Sequence, residues 1–333
     1  MKDTVNKLLL TLLKNTPIVL FIVIFILFGI LSPKFFSYTN FENIATQASY
    51  VGIIAVGMTF ILLTGGIDLS VGSIMYVSAA TTGVLIAKGM PIPIALCLAL
   101  VIGVVFGAVN AFAIVKLKIL PFVVTLSTMV AGRGVGLCIT ESRSIMLPDT
   151  ITQIGSTRII GIPLPIIIFA IVVGTAYIIL AKTTLGRQIY ATGNDVEAAK
   201  KAGINTDKVL FTIYILSGLF AALGGIISVA QLGNINAGFG SGDEFDAIAA
   251  AVLGGTSLFG GVGGVFPGTV IGTVLIQMIQ AGLVYLQVNL YIQPIISAGI
   301  IFLAVFLDSI RDAKINKMER RKIRTEQTSA SAK

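Results

Sequence analysis

The stretch FILLTGGIDLSVGSI, Phe60–Ile74, places two adjacent glycines, an aspartate and two serines between two long apolar runs. Both flanks are long enough to lie in lipid. Backbone groups released by a break at Gly65-Gly66 cannot face hydrocarbon. They are tolerated only where protein covers them or where they line a wet cavity. The stretch therefore reads as a helix interrupted inside a membrane, at a place where something polar passes.

The rest of the chain agrees with that setting. Of 333 residues, 56% are apolar and 11% charged, and the mean hydropathy is +0.98. Apolar runs near the bilayer-spanning length recur throughout, more than any soluble core needs. The expected fold is all-α, a polytopic transmembrane bundle of about ten spans with interrupted, Gly-rich helices. The apolar segments run approximately over 16–31, 44–64, 71–87, 92–115, 119–139, 162–181, 209–232, 245–260, 265–288 and 291–308. A transmembrane domain is expected over 1–310, with a cytoplasmic loop at 182–208, followed by a basic cytoplasmic tail over 311–333. Histidine is absent, which excludes imidazole ligands and imidazole acid–base catalysis. Cys97 and Cys138 lie in apolar runs and read as buried small hydrophobes rather than a disulfide or metal site. No catalytic residue and no metal site is expected. Trp is absent, so any aromatic belt must use Tyr and Phe. The basic, apolar N-terminus resembles a secretory signal but lacks a small-x-small cleavage site, so it reads as an uncleaved first span.

Charge supplies an independent check. With a cytoplasmic N-terminus and one crossing per segment, the inside receives 18 basic residues: Lys2, Lys7, Lys14, Lys116, Lys118, Lys182, Arg187, Lys200, Lys201, Lys208 and eight from Arg311 to Lys333. The outside receives four, Lys34, Lys88, Arg143 and Arg158. That asymmetry follows the positive-inside rule, and an odd span number would misplace the tail. The net charge of +8 is thus mostly topology, and nucleic-acid binding is a poor reading. The tail could touch anionic membrane lipid.

Loop 182–208 contains a short helix. Asn194 is positioned as its N-cap with Glu197 three residues on, as in a capping box. Asp195 and Glu197 load the first turn, Lys200 and Lys201 the last, and Gly203 ends it. Val196, Ala199 and Ala202 share a small apolar face. So short a helix is not stable alone in water. Two docking partners stand open: its own bundle, or a groove on a cytoplasmic protein. A weak internal echo also exists between LLTGGIDLSVGS, 62–73, and VLGGTSLFGGVGG, 252–264, of the kind seen in repeated transporter halves.

Taken together, GRQIYATGNDVEAAKKAGI (186–204), GMTFILLTGGIDLSVGS (57–73) and DEFDAIAAAVLGGTSLFGGVGG (243–264) resemble, in order and approximate spacing, the signatures of ATP-binding-cassette importer permeases of the ribose type. The resemblance covers about residues 40–310. It implies about ten helices, a second permease copy or sister chain, a separate ATP-binding subunit below, and a periplasmic or lipid-anchored sugar-binding protein above. It implies a bacterial inner-membrane location with both termini cytoplasmic. The helix around Asn194, Val196, Glu197, Ala198, Ala199 and Gly203 would couple to the ATPase. Consistent with that division of labour, the chain has no G-x-x-x-x-G-K-[ST] motif, so it holds no nucleotide in a P-loop of its own. No cofactor is expected in this chain, ATP and magnesium belonging to the partner.

Gly65, Gly66, Gly254, Gly255 and the glycines within 260–264 are expected to permit close packing and bending at gates, with Asp68 and Ser70 on the translocation path or gate. Asp68 has two compatible readings, a helix N-cap, which is favoured, and an acceptor for a sugar hydroxyl. Asp243, Glu244 and Asp246 are either solvated charges at the mouth of the eighth segment or contacts for the binding protein. The amides Gln47, Asn110, Gln231, Gln277, Gln280 and Gln293 more often tie helices together than meet a solute. The expected function is a permease subunit importing a pentose or hexose. A permease for a nucleoside, polyol or branched-chain amino acid, an ion-coupled carrier and a membrane enzyme are the alternatives. Asp68 and Arg133 are the only charges placed in the membrane core, which argues against ion coupling.

Overall fold

The computed structural model describes residues 16–303 and Phe306. The first basic residues, the end of the last apolar segment and the tail 311–333 lie outside the described residues.

The chain forms a helical bundle. Its long elements are α1 (Thr16–Leu31), α2 (Tyr38–Leu63), α3 (Val71–Ala87), α4 (Ile92–Val115), α5 (Pro121–Thr140), α7 (Leu164–Lys182), α10 (Thr206–Leu232) and α12 (Val270–Tyr285). Shorter helices are α6 (Asp149–Ser156), α8 (Thr184–Asn194), α9 (Val196–Lys201) and α11 (Asp243–Leu253). A last apolar helix, α13, covers Gln293–Leu303. Two-residue strands β1 (Ile145–Met146) and β4 (Asn234–Ile235) pair antiparallel, as do β2 (Arg158–Ile159) and β3 (Ile162–Pro163).

Local chemistry sets the helix limits. Prolines in the first turn start α4, α5 and α7, where the missing N–H costs nothing. Ser37 caps α2 and Asn205 caps α10 through the Lys208 amide at 2.9 Å. Gly233, at φ 68°, closes α10 in the left-handed conformation, its amide donating to Val229.

The bundle has two ends. The end carrying α8 and α9 is here the near end; Lys118 and Asp207, at 3.3 Å, pair there. The β1–β4 pair marks the far end. Helix α2 runs between them at the centre and is buried along most of its length. Helix α10 packs against α2, α3 and α4. Its approach to α4 is a contact of glycines: a Cβ on Gly103 or Gly107 would run into the backbone of Gly218 or Tyr214, and one on Gly218 into Gly103. Small residues at such crossings let helix backbones meet, the packing that holds helices together in lipid. On its other side α4 exposes Ile94, Leu98, Val101, Val105, Val109 and Phe112 at helical spacing, a face for acyl chains.

Each of the ten apolar segments contains a helix, but only six helices among the described residues are long and apolar enough to cross a membrane. Segment 245–260 is corrected most: α11 stops at Leu253, and its 11 residues reach about 16 Å. The remainder, 254–264, is irregular chain. The cysteines also differ from expectation. Cys97 and Cys138 are unpaired and exposed on outward helix faces, because a free thiol is apolar enough to face lipid. Helix α6 and the two strand pairs, in a stretch with no spanning signal, were not foreseen.

Candidate functional site

At the near end three glycine-bearing segments cross. Helix α2 ends at Leu63, and Gly65 at φ 74° turns the chain back into the bundle. The Leu63 carbonyl accepts the Gly261 amide at 2.9 Å. Gly193, in the last turn of α8, lies so close that a Cβ there would overlap the Leu63 carbonyl and sit 2.7 Å from the Gly261 nitrogen. A Cβ on Gly260 would stand 2.8 Å from the Gly193 carbonyl and 3.0 Å from the Gly65 nitrogen. Tyr190 adds a side-chain strut, donating its hydroxyl to the Gly263 carbonyl at 2.9 Å; burial pushes that hydroxyl's pKa up. The two stretches of the sequence echo, 62–73 and 252–264, thus meet beside Gly193, through Gly65 of the first and Gly260 and Gly261 of the second. Gly254 packs nearby against the backbone of Gly268.

Helix α9 follows directly. Its N-cap is Asp195, whose Oδ1 accepts the amides of Glu197 and Ala198 at 2.9 and 3.0 Å. The expectation for Asn194 is corrected: it is the last residue of α8, and its side chain lies beside Gly261. Aspartate wins because its carboxylate reaches the second amide and complements the helix dipole. Glu197 accepts from Lys200 at 2.9 Å, which raises the Lys200 pKa. Gly203 at φ 82° ends the helix. Ala199 is buried against the bundle while Val196 is exposed, so α9 uses one face inward and offers another outward. Asp195→Ala should cost α9 about 1 kcal/mol, and an α9-dependent activity should fall several-fold. Equal activity of the alanine form at equal membrane abundance would show that the cap is dispensable.

Asp68 is fully buried. Its Oδ1 accepts the Ser70 amide at 3.0 Å and the Ser70 hydroxyl, and its Oδ2 accepts the Ser217 hydroxyl at 2.8 Å. Asn110 donates to the Ser70 hydroxyl at 2.8 Å. Asp68 therefore ties the entry to α3 onto α4 and α10. The preferred cap reading is corrected in detail, since Ser70 holds the N-cap position of α3. Both carboxylate oxygens are engaged within the bundle.

A cavity of about 1060 Å³ opens toward the far end between α2, α11, α12 and α13. Asn40, Asn43 and Gln47 line it from α2, Gln277 and Gln280 from α12, and Gln293 and Ser297 from α13. Asp243 and Asp246 project from the first turns of α11, and Phe245, Tyr285 and Phe302 add rings. Gln280 donates to Asp246 at 3.0 Å, fixing that carboxylate. Gln277 is buried, and its Nε2 has no hydrogen-bond partner. Four of the six intramembrane amides thus meet in one cavity. The other two tie helices, Gln231 to the Thr46 carbonyl and Asn110 to Ser70. Nothing in their separate positions along the chain signalled the gathering. The acidic trio also departs from a solvated cluster: Asp243 and Asp246 line the cavity, and Glu244 is buried on another side of α11.

The family described as the permease component of the branched-chain amino acid transport system matches residues 40–305. The chain belongs to this permease family. The permease is 37% identical over 308 residues to the ribose import permease protein RbsC of Haemophilus influenzae, covering 91% of this chain and 95% of the relative. It is 38% identical to the ribose import permease protein RbsC of Bacillus subtilis, covering 88% and 92% of the two chains. It is 36% identical to the D-allose transport system permease protein AlsC of Escherichia coli, covering 86% and 89%. No solved structure matches the permease.

Proposed function

We propose that this permease is the membrane subunit of an ATP-driven importer for a small sugar, a pentose or hexose. The far-end cavity carries the reading. Amides both donate and accept hydrogen bonds and carboxylates accept, so the lining suits a solute dense in hydroxyls. The rings supply apolar surface for its C–H faces. The names of the relatives, ribose and allose permeases, support the same class.

In this reading the cavity faces the periplasm and receives solute from a sugar-binding protein. The near end is cytoplasmic, and α9 docks on a separate ATPase that holds ATP and magnesium. Ten helices cross or partly cross the inner membrane, and both termini are cytoplasmic. A second permease copy or a sister chain completes the assembly. Closure of the ATPases moves α9; the clasp of Leu63, Gly193 and Gly261 passes that motion to the break before α3 and to loop 254–264, and the bundle changes its open side.

The test is uptake of labelled ribose or allose by proteoliposomes containing the permease, with and without an ATP-binding subunit and a loaded binding protein. Uptake is expected only with ATP and both partners. Scrambling 194–203 should abolish it while membrane insertion persists. Flux through the permease alone, or unchanged uptake after scrambling, refutes the reading.

A further inference from the structure

Two charges sit at mid-depth, apart from the cavity. Arg133 lies about 18 Å along α5 from the near end, at 1.5 Å per residue, in a helix otherwise apolar enough to span. Its Nη1 donates to the Phe239 carbonyl, and its guanidinium stands 5.8 Å from the centroid of the Tyr76 ring. Its Nη2 is buried without a hydrogen-bond partner. Glu244 is 5% exposed, and its Oε2 also lacks a partner. The two orphaned atoms both lie against Gly72: a Cβ there would overlap Oε2 and lie 3.2 Å from Nη2. They do not touch as a direct ion pair within 4.0 Å.

A charge held in a membrane interior needs a partner, and away from bulk water opposite charges a few ångströms apart attract strongly without touching. We infer that Arg133 and Glu244 are positioning residues, a charge pair that attracts across Gly72 without a direct contact. The pair fixes the first turn of α11 against α3 and α5. Asp243 and Asp246 leave the same turn toward the cavity, so the pair aims them. Gly72 is required because a side chain there would displace the Glu244 carboxylate and also overlap the Gly240 carbonyl. The contribution to transport rests on the permease reading above, whereas the pairing itself does not.

Neutralising both members of a buried pair is milder than neutralising one, which strands the other charge. The full-length permease is therefore compared as Arg133→Gln, Glu244→Gln, the double variant and Arg133→Lys. Melting in detergent and uptake by the assembled importer are both measured. Each single glutamine variant is expected to lower the melting temperature and to reduce uptake at least tenfold, roughly the effect of 1.4 kcal/mol. The double variant should exceed either single in both measurements, and Arg133→Lys should transport better than Arg133→Gln. A double variant no better than the worse single, or a Glu244→Gln form like wild type, overturns the pairing. If the singles fail to accumulate, recovered accumulation of the double supports the pair and continued failure overturns it. Melting requires neither solute nor ATPase, so the expected melting pattern without uptake in any form refutes the importer and leaves the pair standing.

Discussion

Gly193→Val is expected to cut sugar uptake roughly a hundredfold while the permease stays in the membrane. Gly193 is in a helix and needs no unusual backbone angle; what it needs is space. The atoms a side chain would meet are the Leu63 carbonyl and the Gly261 amide, which hydrogen-bond to each other at 2.9 Å. Both are main chain and cannot rotate away, so the three segments must separate. Overpacking of this sort costs about 1–3 kcal/mol or more, a factor of up to roughly a hundred in the population of the joined state. Gly174 is the control, since nothing stands within 4 Å of a Cβ there, and Gly174→Val should transport normally. Initial uptake rates normalised to permease in the membrane decide the matter. A Gly193→Val rate above half of wild type would falsify the clasp as the route of coupling.

Asp68→Ala is the second large effect, and it should appear first as lost stability. The substitution removes the acceptor for three donors, the Ser70 amide, the Ser70 hydroxyl and the Ser217 hydroxyl. Each donor left unpaired inside the bundle costs about 1–3 kcal/mol, so a loss of several kcal/mol is expected. Asp68→Asn keeps one carbonyl oxygen, and its amide nitrogen can donate to the Ser217 hydroxyl, which also accepts. The asparagine form should therefore accumulate to near normal levels while the alanine form falls severalfold in abundance and melts well below it. If the alanine form melts with wild type and loses only sugar uptake, Asp68 is a solute ligand and the tie between α3 and α10 is unimportant.

The helical framework was legible in the sequence because lipid imposes long apolar runs and the chain has little alternative to helix within them. Gly203 punctuated it visibly. The cavity was not legible. Gln47, Gln277, Gln280 and Gln293 come from three helices, and their convergence depends on which way each helix faces; hydrophobic periodicity is weak where both lipid and core are apolar. The span near 245–260 reads as too long because loop 254–264 is apolar enough to continue the run, although Gly255, Gly260, Gly261 and Gly263 adopt the positive φ that no right-handed helix contains. Asn194 and Asp195 are both good caps, and one residue of register separated them. For Asp68, the sequence showed a carboxylate after a break but could not show Ser217, which lies 149 residues further on.

The clasp at Leu63, Gly193 and Gly261 is made of peptide groups, which neither titrate nor carry net charge. Its grip should accordingly be indifferent to brine, which screens the Glu197–Lys200 contact on exposed α9. High salt would then disturb the surface of α9 before it disturbed the clasp beneath.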